Sequence, residues 1–343
     1  LTKTQIPLVE SLMGFDAVHF NYEYNSGFIG SYGNRYGNFT LANADVVLVL
    51  GSRLDLKQIG AHPELFARHA KIIQVDIDEN ELKKNDLSKI TIHSDIKTFL
   101  KYMNELNFDL DIHDWRNQIK VWKSKYPTSK KRDGKDNVPN ILVEKIFDHL
   151  TERDRISIDV GQHQMWVAQA AKIRKDQRLF FSGGLGAMGF ALPCAIGLSI
   201  TGGRAVVISG DGGFQMNIQE MEVIKRRNLP IKIIIMNNEN LAMVRQFQEL
   251  YMNANFPSTV KDYSAPNFAA VAQAYGIRSL TIKHDSIDHQ FLSNFFADNT
   301  PALLDIRLDR FTQVEPKLLF GNPIENLSPL LSEQELKTNM VSE

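Results

Sequence analysis

Six short runs rich in β-branched residues, each closing on Asp, Asn, Gly or Arg, constrain this chain more than any other feature. They are DVVLVLGSR (45–53), KIIQVDID (71–78), RISIDVG (155–161), RAVVISGDG (204–212), IKIIIMNN (231–238) and ALLDIRLD (302–309). Their apolar residues run on continuously instead of alternating, which is the pattern of parallel strands covered by helices on both faces. Helix-length segments lie between them, among them NIQEMEVIKRRN (217–228) and SAPNFAAVAQAYG (264–276), the second ending at a Gly suited to a left-handed cap. The pattern predicts an α/β protein with doubly wound parallel sheets.

At 343 residues the chain suits two such domains. The strand-and-helix rhythm stops in the polar stretch 107–137, which carries one helix-length segment around 113–124. We therefore expect one domain over 1–106, a linker over 107–137, a second domain over 138–310, and an apolar, Pro-rich tail over 311–343 packed on the body. The 39 basic and 40 acidic residues balance, so no overall field draws in nucleic acid or an anionic membrane, and no local basic patch stands out. A lone Cys194 excludes a disulfide framework and a multi-cysteine zinc site, and suits a reducing compartment, so the cytoplasm is the expected location. No apolar run reaches the roughly 18 residues of a membrane-spanning helix. The opening LTKTQIPLVESLMG starts at Leu1 and reads as the tail of a helix running into a strand, so an earlier part of the protein is expected.

Chemistry concentrates in 204–244. One strand run ends in Gly210-Asp211-Gly212-Gly213, a helix follows, and a second strand ends in Asn237-Asn238, with Asn238 27 positions beyond Asp211. That spacing is one βαβ unit, which brings a carboxylate and an amide to the carboxyl ends of neighbouring strands, where open α/β sheets bind ligands. Oxygen donors with room for phosphate oxygens and water are what Mg²⁺ prefers, and glycines at a helix start offer N–H groups to an anion. The segment reads as a diphosphate held through a divalent metal. A rival reading stays open: Gly184-Leu185-Gly186-Ala187-Met188-Gly189 satisfies the dinucleotide fingerprint G-x-G-x-x-G, with Asp211 downstream as a ribose ligand. No second nucleotide half follows in the required pattern.

GDG followed by NN at this distance resembles the cofactor motif of thiamine-diphosphate enzymes. DVGQHQMWVAQAA (159–171), FFSGGLGAMGFALPCAIG (180–197) and MVRQFQ (243–248) resemble the acetolactate synthase branch of that family. The resemblance implies that Asp211 and Asn238 bind Mg²⁺ and that Asn240 adds a backbone carbonyl. It also implies that Gln162 and His163 contact the diphosphate, with Gly186, Gly210, Gly212 and Gly213 around the cofactor. Met188 would support the bend between its two rings. Met243 and Phe247 would line the substrate pocket, Phe247 standing where the family generally has a Trp that favours 2-oxobutanoate over pyruvate. The implied reaction is decarboxylation and carboligation of small 2-oxo acids, two pyruvates giving 2-acetolactate and CO₂, or another decarboxylation or carboligation on the same scaffold.

Residues 1–106 resemble the family's central domain, which carries FAD in acetolactate synthases. Phe28-Ile29-Gly30-Ser31-Tyr32-Gly33, Leu50-Gly51-Ser52-Arg53 and Val75-Asp76-Ile77-Asp78 fall where flavin contacts are expected, making Gly30, Gly33, Arg53 and Asp76 candidates. Ser31-Tyr32-Gly33 replaces the family's usual Met-His-Gly, and an ordinary glycine turn explains the segment equally well. The family's activating glutamate comes from a preceding domain of a neighbouring subunit, and nothing before residue 100 resembles that domain. The resemblance thus implies a homodimer or homotetramer with the active site at the subunit interface, and an isolated chain that is inactive. A chain truly without that domain would be a cofactor-binding module.

Overall fold

The computed structural model describes residues 1–84 and 86–341. They divide into two compact units. The first comprises 1–14, 22–135 and the chain from Glu315 onward, and the second comprises Phe15–Asn21 and Asp136–Val314. Both are parallel-sheet α/β structures. Among the described residues no helix is long and apolar enough to cross a membrane.

The second unit is built on a six-stranded sheet, parallel throughout. Across the sheet the strands run Arg278–Lys283, Ala302–Arg307, Ile231–Asn237, Ala205–Gly210, Arg155–Ile158, Arg178–Phe181. All seven residues of Ile231–Asn237 are buried, and so are the first five of Ala205–Gly210, as the unbroken apolar runs require. One face carries a core in which Phe214, Met221, Ile224, Phe268 and Ala272 pack on Val207, Ile231, Ile233 and Leu303. Helix Phe268–Ala274 starts at Asn267, whose side chain accepts from the Ala270 N–H, and is followed by Gly276 at φ +72°, the left-handed stop read from the sequence.

Chain order reverses beside Arg155–Ile158. From Arg155–Ile158 the chain crosses to Arg178–Phe181 on one side, then returns to Ala205–Gly210 on the other. The carboxyl ends of Arg155–Ile158 and Ala205–Gly210 therefore flank a crevice that no crossover covers.

The first unit holds a three-stranded parallel sheet, Val46–Leu50, Lys71–Asp76 and Ile90–His93, in simple sequential order. A separate parallel pair joins Leu8–Glu10 to Asn25–Phe28. Residues 1–7 contain turns but no helix, so the opening segment is not a helix tail: Pro7 and the extended pairing that begins at Leu8 take over. Two segments set apart in the sequence lie largely in this unit. From the polar stretch comes helix His113–Lys125, which buries Ile119 and Trp122 against Phe39 and Ala42. The tail contributes Leu318, Ile324, Leu327 and Leu331 to the same unit's cores. It also forms a short antiparallel ladder, Lys317–Leu318 with Leu327–Ser328, too brief to leave a strand pattern in the sequence.

Candidate active site

At the crevice of the large sheet lies a cavity of about 500 Å³, its mouth included. Gln162, His163, Met188, Gly210, Asp211, Gly212, Gly213, Asn238, Asn240 and Met243 all line it. The strands explain the gathering. Asp211 follows Ala205–Gly210, Asn238 follows Ile231–Asn237, and Gln162 opens helix Gln162–Ala170 just beyond Arg155–Ile158. Gly186 and Phe247 do not line it. Gly186 sits in the loop at φ +66°, next to the fully exposed Leu185. Phe247 lies one helical turn past Met243, its ring 4.9 Å from that of Tyr251.

The glycines here are required by close approach. A Cβ on Gly210 would lie 3.0 Å from His163 Nδ1, one on Gly212 2.6 Å from the Leu241 side chain, and one on Gly213 2.8 Å from Asp159 Oδ1. Asp159 is itself buried, and its carboxylate accepts from the N–H groups of Val160 (2.7 Å), Gly189 (2.9 Å) and Ala191 (3.2 Å). It thereby pins the end of the loop that presents Met188, a residue 36% exposed at the cavity rim.

Two polar atoms of the lining residues, on His163 and Asn240, lack an internal partner. Burial raises the Asp211 carboxyl to about 6, even though the Tyr263 hydroxyl donates to its Oδ2 at 2.8 Å. The Tyr263 phenol is in turn pushed up by burial and by that carboxylate. His163 is held down to about 4, by burial first, against the pull of Asp159, so its ring is neutral at pH 7. Its Nε2 is buried without a hydrogen bond, as is Oδ1 of Asn240. The Asn240 backbone carbonyl accepts from the Ala242 N–H at 2.9 Å. Asn237 turns away from the cavity: its Nδ2 donates to Asp305 and its Oδ1 accepts from the Glu239 N–H.

This donor set is one carboxylate with amide oxygens. Among the described residues no three His, Cys, Asp or Glu side chains gather into a metal-holding group. Asp211, Asn238 and Asn240 could hold a hard cation whose remaining positions fall to phosphate oxygens and water, which fits Mg²⁺. A helix start with a buried, unpartnered imidazole nitrogen beside it suits the anion. Sequence reasoning missed Tyr263 and Gln246, the latter bonded to Gln162 at 2.9 Å.

The dinucleotide reading does not survive the topology. The strand before the glycine loop, Arg178–Phe181, and the strand before Asp211 are not neighbours, because Arg155–Ile158 lies between them.

The flavin candidates in the first unit fall in a turn after Asn25–Phe28 and at the ends of the neighbouring strands Val46–Leu50 and Lys71–Asp76. Gly30 and Gly33 close a turn, with the Gly33 N–H donating to the Gly30 carbonyl at 2.9 Å. The side where a Gly30 Cβ would point is filled by the Lys57 carbonyl at 2.3 Å, and that of Gly33 by the Asn38 side-chain oxygen at 2.6 Å and the Gly30 nitrogen at 2.8 Å. Buried Asn38 bonds both the Gly30 N–H and its carbonyl. Arg53 is exposed, and Asp76 accepts from the Asp78 N–H at 2.9 Å. The turn's own packing accounts for these glycines.

Comparison with known proteins identifies both units by family. Residues 159–306 match the model described as thiamine pyrophosphate enzyme, C-terminal TPP binding domain, and residues 1–103 match thiamine pyrophosphate enzyme, central domain. The chain is 34% identical over 339 residues to "Acetolactate synthase, chloroplastic" of Arabidopsis thaliana, covering 94% of this chain and 50% of that protein. It is 34% identical over 323 residues to "Acetolactate synthase large subunit" of Lactococcus lactis subsp. lactis (strain IL1403), covering 93% and 56%. With "Acetolactate synthase isozyme 2 large subunit" of Escherichia coli (strain K12) the identity is 31% over 318 residues, covering 92% and 57%. The chain thus spans about half the length of the curated relatives it matches. With both domain models matched in order, and with the cavity at the reversal of the large sheet, the chain belongs to the thiamine pyrophosphate enzyme family.

Proposed function

We propose that this chain holds thiamine diphosphate through Mg²⁺ and serves an enzyme of the acetolactate synthase type, which decarboxylates pyruvate and joins the product to a second pyruvate. The observation that carries this reading is the convergence of Asp211, Asn238, Asn240 and His163 on one cavity at the sheet reversal, with His163 Nε2 and Asn240 Oδ1 left without a hydrogen bond. Bound cofactor supplies a nucleophilic carbon and an electron sink for the loss of CO₂. Asp211 and the side-chain oxygen of Asn238 would hold the cation, and Gln162 and His163 would meet the diphosphate at the first turn of their helix. Met188, on the rim, would support the cofactor's bend and shed water from the pocket. The activating carboxylate would come from a preceding domain of a second copy, so the working unit would be a homodimer or homotetramer.

Titration of thiamine diphosphate with and without Mg²⁺ tests the holding role. Binding should require the metal, and equal affinity after chelation would refute it. Pyruvate turnover by the chain joined to the preceding domain, with the products identified, tests the chemistry: acetolactate supports the reading, and a different product moves the chain to another reaction on the same scaffold. The 343-residue chain alone should be inactive, and robust turnover would show that it carries its own base.

A further inference from the structure

An asparagine or glutamine amide has nearly the same shape either way round, so its neighbours decide which atom faces a site. At Asn238 that decision can be traced to a backbone group that cannot turn over. The Val314 N–H donates to Gln246 Oε1 at 3.1 Å, and the Val314 carbonyl accepts from Gln246 Nε2 at 3.0 Å. Only one orientation of Gln246 makes both bonds. Its Oε1 also accepts from Gln162 Nε2 at 2.9 Å, which turns Gln162 Oε1 the other way. There it accepts from Asn238 Nδ2 at 3.2 Å. The Asn238 nitrogen is therefore engaged inside the protein, and its oxygen is the atom left for the cavity.

We propose that Gln246 is a positioning residue that makes Asn238 present oxygen, not nitrogen, to the cavity. The proposal rests on the reading of that oxygen as a cation ligand. All three amides are buried, so water offers no replacement partners, and turning one over breaks several bonds at once. With Gln246 reversed, the Val314 pair is lost and Gln162 turns with it. The oxygen of Asn238 is then drawn inward and its NH₂ group faces out. An amide NH₂ donates hydrogen bonds and offers no lone pair to a cation. Asn240 follows the same logic from the same segment, since its Nδ2 donates to the Asn238 carbonyl at 2.7 Å and to the Arg310 carbonyl at 2.6 Å, leaving its Oδ1 unpaired.

The test is calorimetric titration of thiamine diphosphate into the full chain at a series of fixed Mg²⁺ concentrations, from which the Mg²⁺ affinity is read. Gln246→Met keeps the length but makes none of these bonds, and it should weaken Mg²⁺ binding about tenfold. The same substitution in an Asn238→Asp background should cause no weakening, because a carboxylate presents oxygen whichever way it turns. Equal losses in both backgrounds would mean that Gln246 acts only as packing, and would overturn the proposal. So would unchanged affinity in Gln246→Met. Gln246→Glu still accepts from Val314 and Gln162, so it should recover most of the affinity. It also keeps the test decisive if the Met variant does not fold, and a tenfold loss in a folded Glu variant would overturn the proposal. Asn238→Ala separates the two layers. No effect there removes the cation ligand itself, whereas weakening there with Gln246→Met indifferent removes only the orienting role.

Discussion

Both units carry glycines and carboxylates just past the ends of parallel strands, yet the two sets are finished differently. In the first unit Asp76 is satisfied by its own loop, and the Gly30 turn is filled by the Lys57 carbonyl and tied by Asn38. In the second, Asp211 is buried with its carboxyl raised to about 6, and His163 Nε2 and Asn240 Oδ1 have no partner. The strand order differs as well: one sheet is sequential and the other reverses beside its site. Glycines next to an Asp do not by themselves mark a ligand site. Unspent hydrogen-bonding capacity beside a reversal does.

Asp211→Ala should break the second unit's role most severely. Loss of the one carboxylate in the donor set is expected to weaken Mg²⁺-dependent thiamine-diphosphate binding by at least about a hundredfold, with the thermal transition retained. Unchanged affinity by calorimetry would abolish the distinction between the units. Gly30→Ala should do the reverse in the first unit. The new methyl meets the Lys57 carbonyl at a backbone φ of +101°, so a cost of roughly 2–3 kcal/mol in stability is expected, measured by denaturant unfolding. A variant as stable as the parent would show that this turn is not closed as described.

Lys317 sharpens the comparison from the side of titration. Burial pushes its ammonium down from 10.5 to about 8. Between those values the unfolded chain binds more protons than the folded one, so this residue makes stability rise as pH climbs from about 8 to 10.5. Below 8 the folded state bears the whole cost of the charge. Lys317→Met should therefore raise the thermal midpoint at pH 7, and the gain should fade toward pH 10.5; a gain independent of pH would point to packing instead. The smallest effect is expected at Phe247. It lies off the cavity wall, so Phe247→Trp should leave thiamine-diphosphate affinity within about twofold, and a larger shift would place it in the pocket.

The six strands read from the sequence are those whose runs are continuously apolar. In the two larger sheets the described residues hold three more, Ile90–His93, Arg178–Phe181 and Arg278–Lys283, each an edge strand, while Val46–Leu50, also at an edge, is legible because its run stays apolar. An edge strand has a neighbour on one side only and keeps polar residues, as in RSLTIK, so its pattern fades into the loops. Asp211 and Asn238 were legible because strand ends place them. Tyr263 and Gln246 were not. Their partners lie 52 and 84 residues away, and folded distance alone creates those contacts.

The three bonds to Asp159 carry a further consequence, one of motion. The amides of Val160, Gly189 and Ala191 share a single buried acceptor group, so none can be released without disturbing the bonds of the others. Gly189 and Ala191, 30 and 32 residues along the chain from Asp159, are thereby coupled to the end of an interior strand. In deuterated water their protons should exchange slowly and as one group, at the pace of a shared opening, while the exposed Leu185 nearby exchanges freely. The rim of the site would then have a hinge on its exposed side and a latch at Asp159.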